Sequence, residues 1–83
     1  MAYTIRFKKS VIKDLKNVEL KDKKRILDKT EEVLSENPQK CSLLRGRFAG
    51  LRKLRIGAYR VIFSIMDEEV WVLRIRHRRK LYK

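Results

Sequence analysis

The sequence predicts an α+β fold in two layers, with its elements in the order β-α-α-β-β-β. Three observations predict it. Residues 3–7 alternate in polarity, residues 11–34 repeat their apolar positions at helical spacing, and residues 51–75 return to alternation in three runs joined by short turns. The N-terminal strand and a helical hairpin are expected to pack on a mainly antiparallel sheet, with the two helices against one face, in a single domain spanning residues 1–83.

Each element has its own signal. YTIRF (3–7) reads as a strand, and Val11, Ile12, Leu15 and Val18 then mark a helix with Ser10 as its N-cap. Ile26, Leu27, Thr30, Val33 and Leu34 mark a longer amphipathic helix whose outer face carries Lys and Glu. Asn37-Pro38 ends it, because a residue before proline is pushed out of the helical region. LRKLRI (51–56), YRVIFSIM (59–66) and VWVLRI (70–75) form a β-meander through turns at Gly57-Ala58 and Asp67-Glu68-Glu69. With both helices on one face of the sheet, the arginines must emerge on the other.

Composition narrows the function. Of 83 residues, 23 are Lys or Arg and 10 are Asp or Glu, a net charge of +13 on a small body. Such self-repulsion calls for a polyanionic partner. Residues 1–40 hold 11 Lys plus Arg, nine of them Lys, against 7 acids; residues 41–83 hold 12, nine of them Arg, against 3 acids. Lys mixed with acids dresses a solvated helix, whereas Arg without acids offers planar forks that fit phosphate. A single cysteine, Cys41, excludes an internal disulfide and any multi-cysteine zinc site. With no secretory h-region and no apolar run of membrane-spanning length, the expected location is cytoplasmic, away from any membrane.

Strand alternation sorts the cations. Lys53 and Arg55 share one face of their strand, Arg60 points opposite to Tyr59, Val61 and Phe63, and Arg74 and Arg76 alternate with Leu73 and Ile75. Lys53, Arg55, Arg60 and some of Arg74 to Arg79 are therefore expected to converge. Solubility alone is better served by mixed signs than by one sign concentrated on one face. No metal site is expected: the acids of the second half, Asp67, Glu68 and Glu69, are adjacent in a turn, and His77 lacks partner ligands.

Metal-free RNA cleavage asks for less. A 2′-hydroxyl must be deprotonated, cations must stabilise the transition-state phosphate, and an acid must protonate the leaving 5′-oxygen. Tyr82 and His77 are candidates for the proton transfers, and Arg78, Arg79, Lys80 and Lys83 surround Tyr82 with charge that lowers a phenol pKa. Spacing alone does not choose between these roles and a terminal aromatic beside a polar strand end.

KLRIGAYRVIFSIMDEEVWVLRIRHRRKLY (53–82), with LLRGRFAGLRKLR (43–55) and AYTIRFKKSVIKDLKNV (2–18), resembles the RelE branch of the RelE/ParE toxin superfamily. The Tyr59-Arg60 strand and the His77-Arg78-Arg79 segment carry the likeness most specifically, and both also occur in ParE-like relatives. The resemblance implies a compact α+β toxin that cleaves mRNA in the ribosomal A site without a metal or other cofactor. It also implies silencing by an acidic, RelB-like antitoxin. By position it implies catalytic roles for Lys53, Arg60 and Arg78, with Tyr82 as general base, and a nucleic-acid contact by Arg45. Arg55, Arg76, His77 and Arg79 are the expected RNA-binding companions. Leu51 departs from the pattern, standing where some members carry a second lysine, and the chain stops one residue after Tyr82.

The leading expectation is therefore the toxin of a type II toxin–antitoxin system, a ribosome-dependent mRNA endonuclease that blocks translation. The alternative is a ParE-like inhibitor of DNA gyrase, which shares the fold and needs no catalytic residues. A plain RNA-binding module ranks third, because Phe63 and Trp71 read as core or near-core residues and leave no aromatic platform for bases.

Overall fold

The computed structural model of the chain describes residues 2–44 and 50–77. Its elements are β1 (Thr4–Phe7), α1 (Lys9–Leu15), α2 (Leu20–Leu34), a short 3₁₀ turn (Pro38–Lys40), β2 (Ser42–Leu43), β3 (Arg52–Ile56), β4 (Tyr59–Met66) and β5 (Glu69–His77). The strands form one five-stranded sheet in the order β1-β5-β4-β3-β2. The β2-β3, β3-β4 and β4-β5 pairs are antiparallel, while β1 pairs with β5 in parallel. A parallel partner cannot be reached through a tight turn. The chain uses α1, α2 and the antiparallel meander to return to the first strand.

The expected α+β architecture is thus present, with the two-residue β2 as an addition that no sequence alternation announced. One face of the sheet is dry. Val61, Phe63, Val70 and Val72 are fully buried there, and Val11, Ile26 and Leu34 of the helices join the same core. In α2 the buried residues are Ile26, Thr30 and Leu34, four apart, so a narrow stripe of the helix meets the sheet. Its charged side faces solvent.

Both tight turns need left-handed backbone. Gly57 has φ of +58°, and the Arg25 guanidinium lies 3.4 to 3.6 Å from where a Cβ would stand. Asp67 supplies the same conformation at φ 56°, which Asp tolerates better than most side chains. Glu69, expected in that turn, instead opens β5 and pairs with Arg6 of β1 at 2.6 Å.

Two further local expectations are corrected. Leu51 precedes β3, which starts at Arg52. Ser10 does not cap α1: the N-cap is Lys8, without a side-chain cap, and the Ser10 hydroxyl donates to the Leu73 carbonyl at 2.6 Å. Its partner lies across the sheet edge because the strand there has lost β1 as a neighbour. The last β1 pairing is Phe7 with Val72, and beyond it α1 runs beside β5.

Candidate nucleic-acid interface

The second face of the sheet is cationic because of register. Arg55 of β3 stands opposite Arg60 of β4, and Arg60 stands opposite Arg76 of β5, so three arginines form one row across adjacent strands. The neighbouring row is Lys53, Ile62 and Arg74. Like charges directly opposite on a sheet are destabilising, by up to about 1 kcal/mol a pair. Among the described residues, the ion pairs are Arg6–Glu69, Lys29–Glu32 and Arg74–Asp14, and none neutralises Lys53, Arg55, Arg60 or Arg76. A row of this kind can be balanced by an anion from outside the chain.

Arg76 reaches that row through a register shift. Val70 and Val72 of β5 point into the core, and strict alternation would send residues 74 and 76 the same way. Phe63 instead pairs with Val72 while Ile62 pairs with Arg74, leaving Leu73 as the extra residue of a β-bulge. The phase flips. Ile75 enters the core at 3% exposure, and Arg74 and Arg76 come to the open face.

Beside β3 a cleft of about 500 Å³ runs off the open face. Lys40, Lys53, Arg55 and Arg60 supply its charge, and Val33, Leu54 and Cys41 its apolar side. Arg52 holds the segment that carries Lys40 and Cys41, since its guanidinium donates to the carbonyls of Gln39 at 3.1 Å and Cys41 at 2.8 Å. That contact fixes the 3₁₀ turn and β2 against β3. The cleft is suited to polyanion binding more than to thiol chemistry. Burial raises the Cys41 pKa, against the opposing charge of Arg52, and a protonated thiol is a weak nucleophile.

Not every expected site residue is gathered here. Lys53, Arg55, Arg60 and Arg76 share the open face, whereas Arg45, Arg78, Arg79 and Tyr82 lie outside the described residues. His77 is on the opposite face. It pairs in register with Tyr59, and the two rings meet edge-on with centroids 5.1 Å apart, beside a cavity of about 210 Å³ lined also by Asp22, Arg25 and Gly57. Tyr59 is not poised as a base, because burial, Asp22 and Glu19 all raise its pKa. Among the described residues, no three His, Cys, Asp or Glu side chains come together as a metal-ligand group.

Sequence reasoning missed Asp14 and Arg52 and gave Ser10 a different role. Asp14 accepts from Arg74 twice, at 3.0 Å from Nε and 2.9 Å from the guanidinium NH2 group, and from the Ile75 amide at 2.9 Å. Burial alone would raise its pKa. The Arg74 hydrogen bonds, the Ile75 amide and the charges of Arg74 and Arg76 outweigh that and hold the carboxyl below its ordinary range. A signal for the bulge was present in the adjacent apolar pair Val72-Leu73, which breaks the alternation of VWVLRI.

Comparison with known proteins supports the same frame. A sequence model of the ParE toxin of type II toxin–antitoxin systems matches residues 5–82. A chain of the RelBE2 toxin–antitoxin complex from Mycobacterium tuberculosis superposes with a TM-score of 0.85 at 29% identity, covering 94% of this chain and 100% of that one. A chain of the archaeal RelE-RelB complex from Pyrococcus horikoshii gives 0.72 at 27% identity, covering 94% and 97%. A chain of the chromosomal ParDE system of Pseudomonas aeruginosa gives 0.72 at 14% identity, covering 92% and 96%, a likeness of fold alone. No curated protein matches the chain.

Proposed function

This chain belongs to the ParE toxin family of type II toxin–antitoxin systems, within the RelE/ParE superfamily, and from there we propose that it is a metal-independent, ribosome-dependent mRNA endonuclease. The observation that carries this reading is the Arg55–Arg60–Arg76 row flanked by Lys53, a preorganised set of donors none of which is in an ion pair among the described residues. Such donors act where charge develops on phosphate, and held rigidly by three paired strands they need no reorganisation during the reaction.

In the proposed step the 2′-hydroxyl of one nucleotide loses its proton and attacks the adjacent phosphorus in line. The bond to the 5′-oxygen breaks, that oxygen takes up a proton, and the products are a 2′,3′-cyclic phosphate and a 5′-hydroxyl. Lys53 lies beside the attacking ribose, and Arg60 and Arg76 hold the phosphoryl oxygens. Arg78 adds charge, and Tyr82 in the strongly basic terminal segment takes the first proton. Arg45, Arg55 and Arg79 bind flanking phosphates. The partner that keeps the toxin harmless is an acidic, RelB-like antitoxin, consistent with the complexes in which the similar chains were solved. Its acids neutralise the Arg-rich face and steer association.

One observation favours a second reading. The matching family model is that of ParE, and a gyrase inhibitor of this fold would use the same cationic face as a docking surface with no chemistry. A translation reaction with primer extension on the message, wild type against Arg60→Ala, separates the two. Site-specific truncation of the message by wild type alone supports the nuclease. Intact message together with loss of DNA supercoiling in a gyrase reaction supports the inhibitor.

A further inference from the structure

Beyond Phe7 the outer edge of β5 has no strand beside it among the described residues, yet three of its backbone groups are paired. The Lys8 amide donates to the Val72 carbonyl at 3.0 Å, the Ser10 hydroxyl to the Leu73 carbonyl at 2.6 Å, and the Ile75 amide to the Asp14 carboxylate at 2.9 Å. Ser10 and Asp14 are four residues apart on α1, so one helix face continues with side chains the ladder that β1 leaves off. Those contacts straddle Leu73, the extra residue of the bulge. The same carboxylate binds Arg74 through two parallel hydrogen bonds, a geometry specific to a planar fork. The bulge brings both Arg74 and Arg76 out of the core, and among the described residues the ion pair of Asp14 is with Arg74, while Arg76 acts on it through charge alone.

From this we propose that Ser10 and Asp14 clamp the β5 bulge, and that Asp14 is a positioning residue that commits Arg76 to the anion-binding face and withholds Arg74 from it. The second half of the proposal rests on the reading of that face as an RNA interface. The clamp itself does not.

The test uses the full chain and a short oligouridine as probe, with affinity measured over a range of salt. Each phosphate contact contributes about −0.7 to the slope of log K against log salt for a single strand. Arg76→Gln should therefore flatten the slope by about 0.7, whereas Arg74→Gln should leave it unchanged. Asp14→Asn, close in shape, should release Arg74 and steepen the slope by about 0.7, and adding Arg74→Gln to that variant should restore the wild-type value. Equal flattening by Arg74→Gln and Arg76→Gln overturns the division of labour. Hydrogen exchange reads the clamp without RNA. In Asp14→Ala, and more mildly in Asp14→Asn, the Ile75 amide should exchange faster by about tenfold or more, with the core Val61 amide as internal reference. Unchanged exchange at Ile75 overturns the clamp whatever the binding data show. A flat salt response of the wild type overturns the RNA reading and leaves the exchange result to decide the clamp.

Discussion

Arg60 and Arg76 stand directly opposite each other on β4 and β5, and Arg55 faces Arg60 from the other side, so the central strand presents its arginine between two others. Among the described residues none of the three is in an ion pair, and the nearby Asp14 carboxylate acts on Arg76 only through its charge. The arrangement costs stability in the free protein.

Arg60→Ala should keep the fold, since the side chain emerges from the sheet and belongs to no internal ion pair among the described residues. Removing one preorganised charge contact typically costs about 10²–10³-fold in rate. Primer extension in a translation reaction should show cleavage reduced by that factor. Undiminished growth arrest by a well-expressed variant counts against the nuclease.

Salt should weaken binding to single-stranded RNA steeply. With about five cations on phosphate, log K should fall against log salt with a slope of roughly −3 to −4. Lys53, Arg55, Arg60 and Arg76 supply four of these from the open face, and the terminal segment supplies the rest. A slope near zero points to a neutral protein surface as the target.

Tyr82→Phe removes only a hydroxyl and should lose about 10²–10⁴-fold in cleavage while RNA affinity barely changes. His77→Gln should be milder. The His77 ring packs edge-on against Tyr59 on the helix side of the sheet, so its loss is felt as packing before chemistry. The reverse ranking, measured on the same message, assigns the proton transfer to His77.

Asp14 makes stability depend on acid. Its pKa in the folded chain lies below the ordinary value of 3.8, so its ionised form contributes stability that is fully present above that value and is lost as pH falls through the folded pKa. Urea midpoints followed below about pH 4 should fall less steeply for Asp14→Asn than for wild type. Parallel curves for the two proteins would show that the carboxylate contributes nothing to this dependence.

The layered α+β fold, both helices and all three meander strands were legible in the sequence because period 3.6 and period 2 are written in which positions are apolar. Lys53, Arg55 and Arg60 were assignable to one face for the same reason. The parallel pairing of β1 with β5 was not legible, since nothing local distinguishes an edge strand's partner. Ser10 shows the limit most clearly. A serine before a helical repeat fits an N-cap, but a carbonyl sixty-three residues away offered it a stronger role. Asp14 was passed over because an acid on a Lys-rich helix is ordinarily a solvated one. His77 was grouped with the arginines because its basic neighbours dominate that stretch, while the Leu73 bulge decides which face it takes.

The position of β5 also orders events in time. It is the penultimate strand of the sheet, held between β1 and β4, and it supplies Val70, Val72 and Ile75 to the core. A ribosome makes β1 first of these strands and β5 last. The nascent chain therefore carries its helices and four of the five strands, but a core lacking Val70, Val72 and Ile75, until residues 69–77 have emerged. The Arg55–Arg60–Arg76 row does not exist before then either. Arrested nascent chains that end before Glu69 should be open to protease, and those extended well past His77 should resist it. The cationic row and the core are thus completed together, by the same late strand.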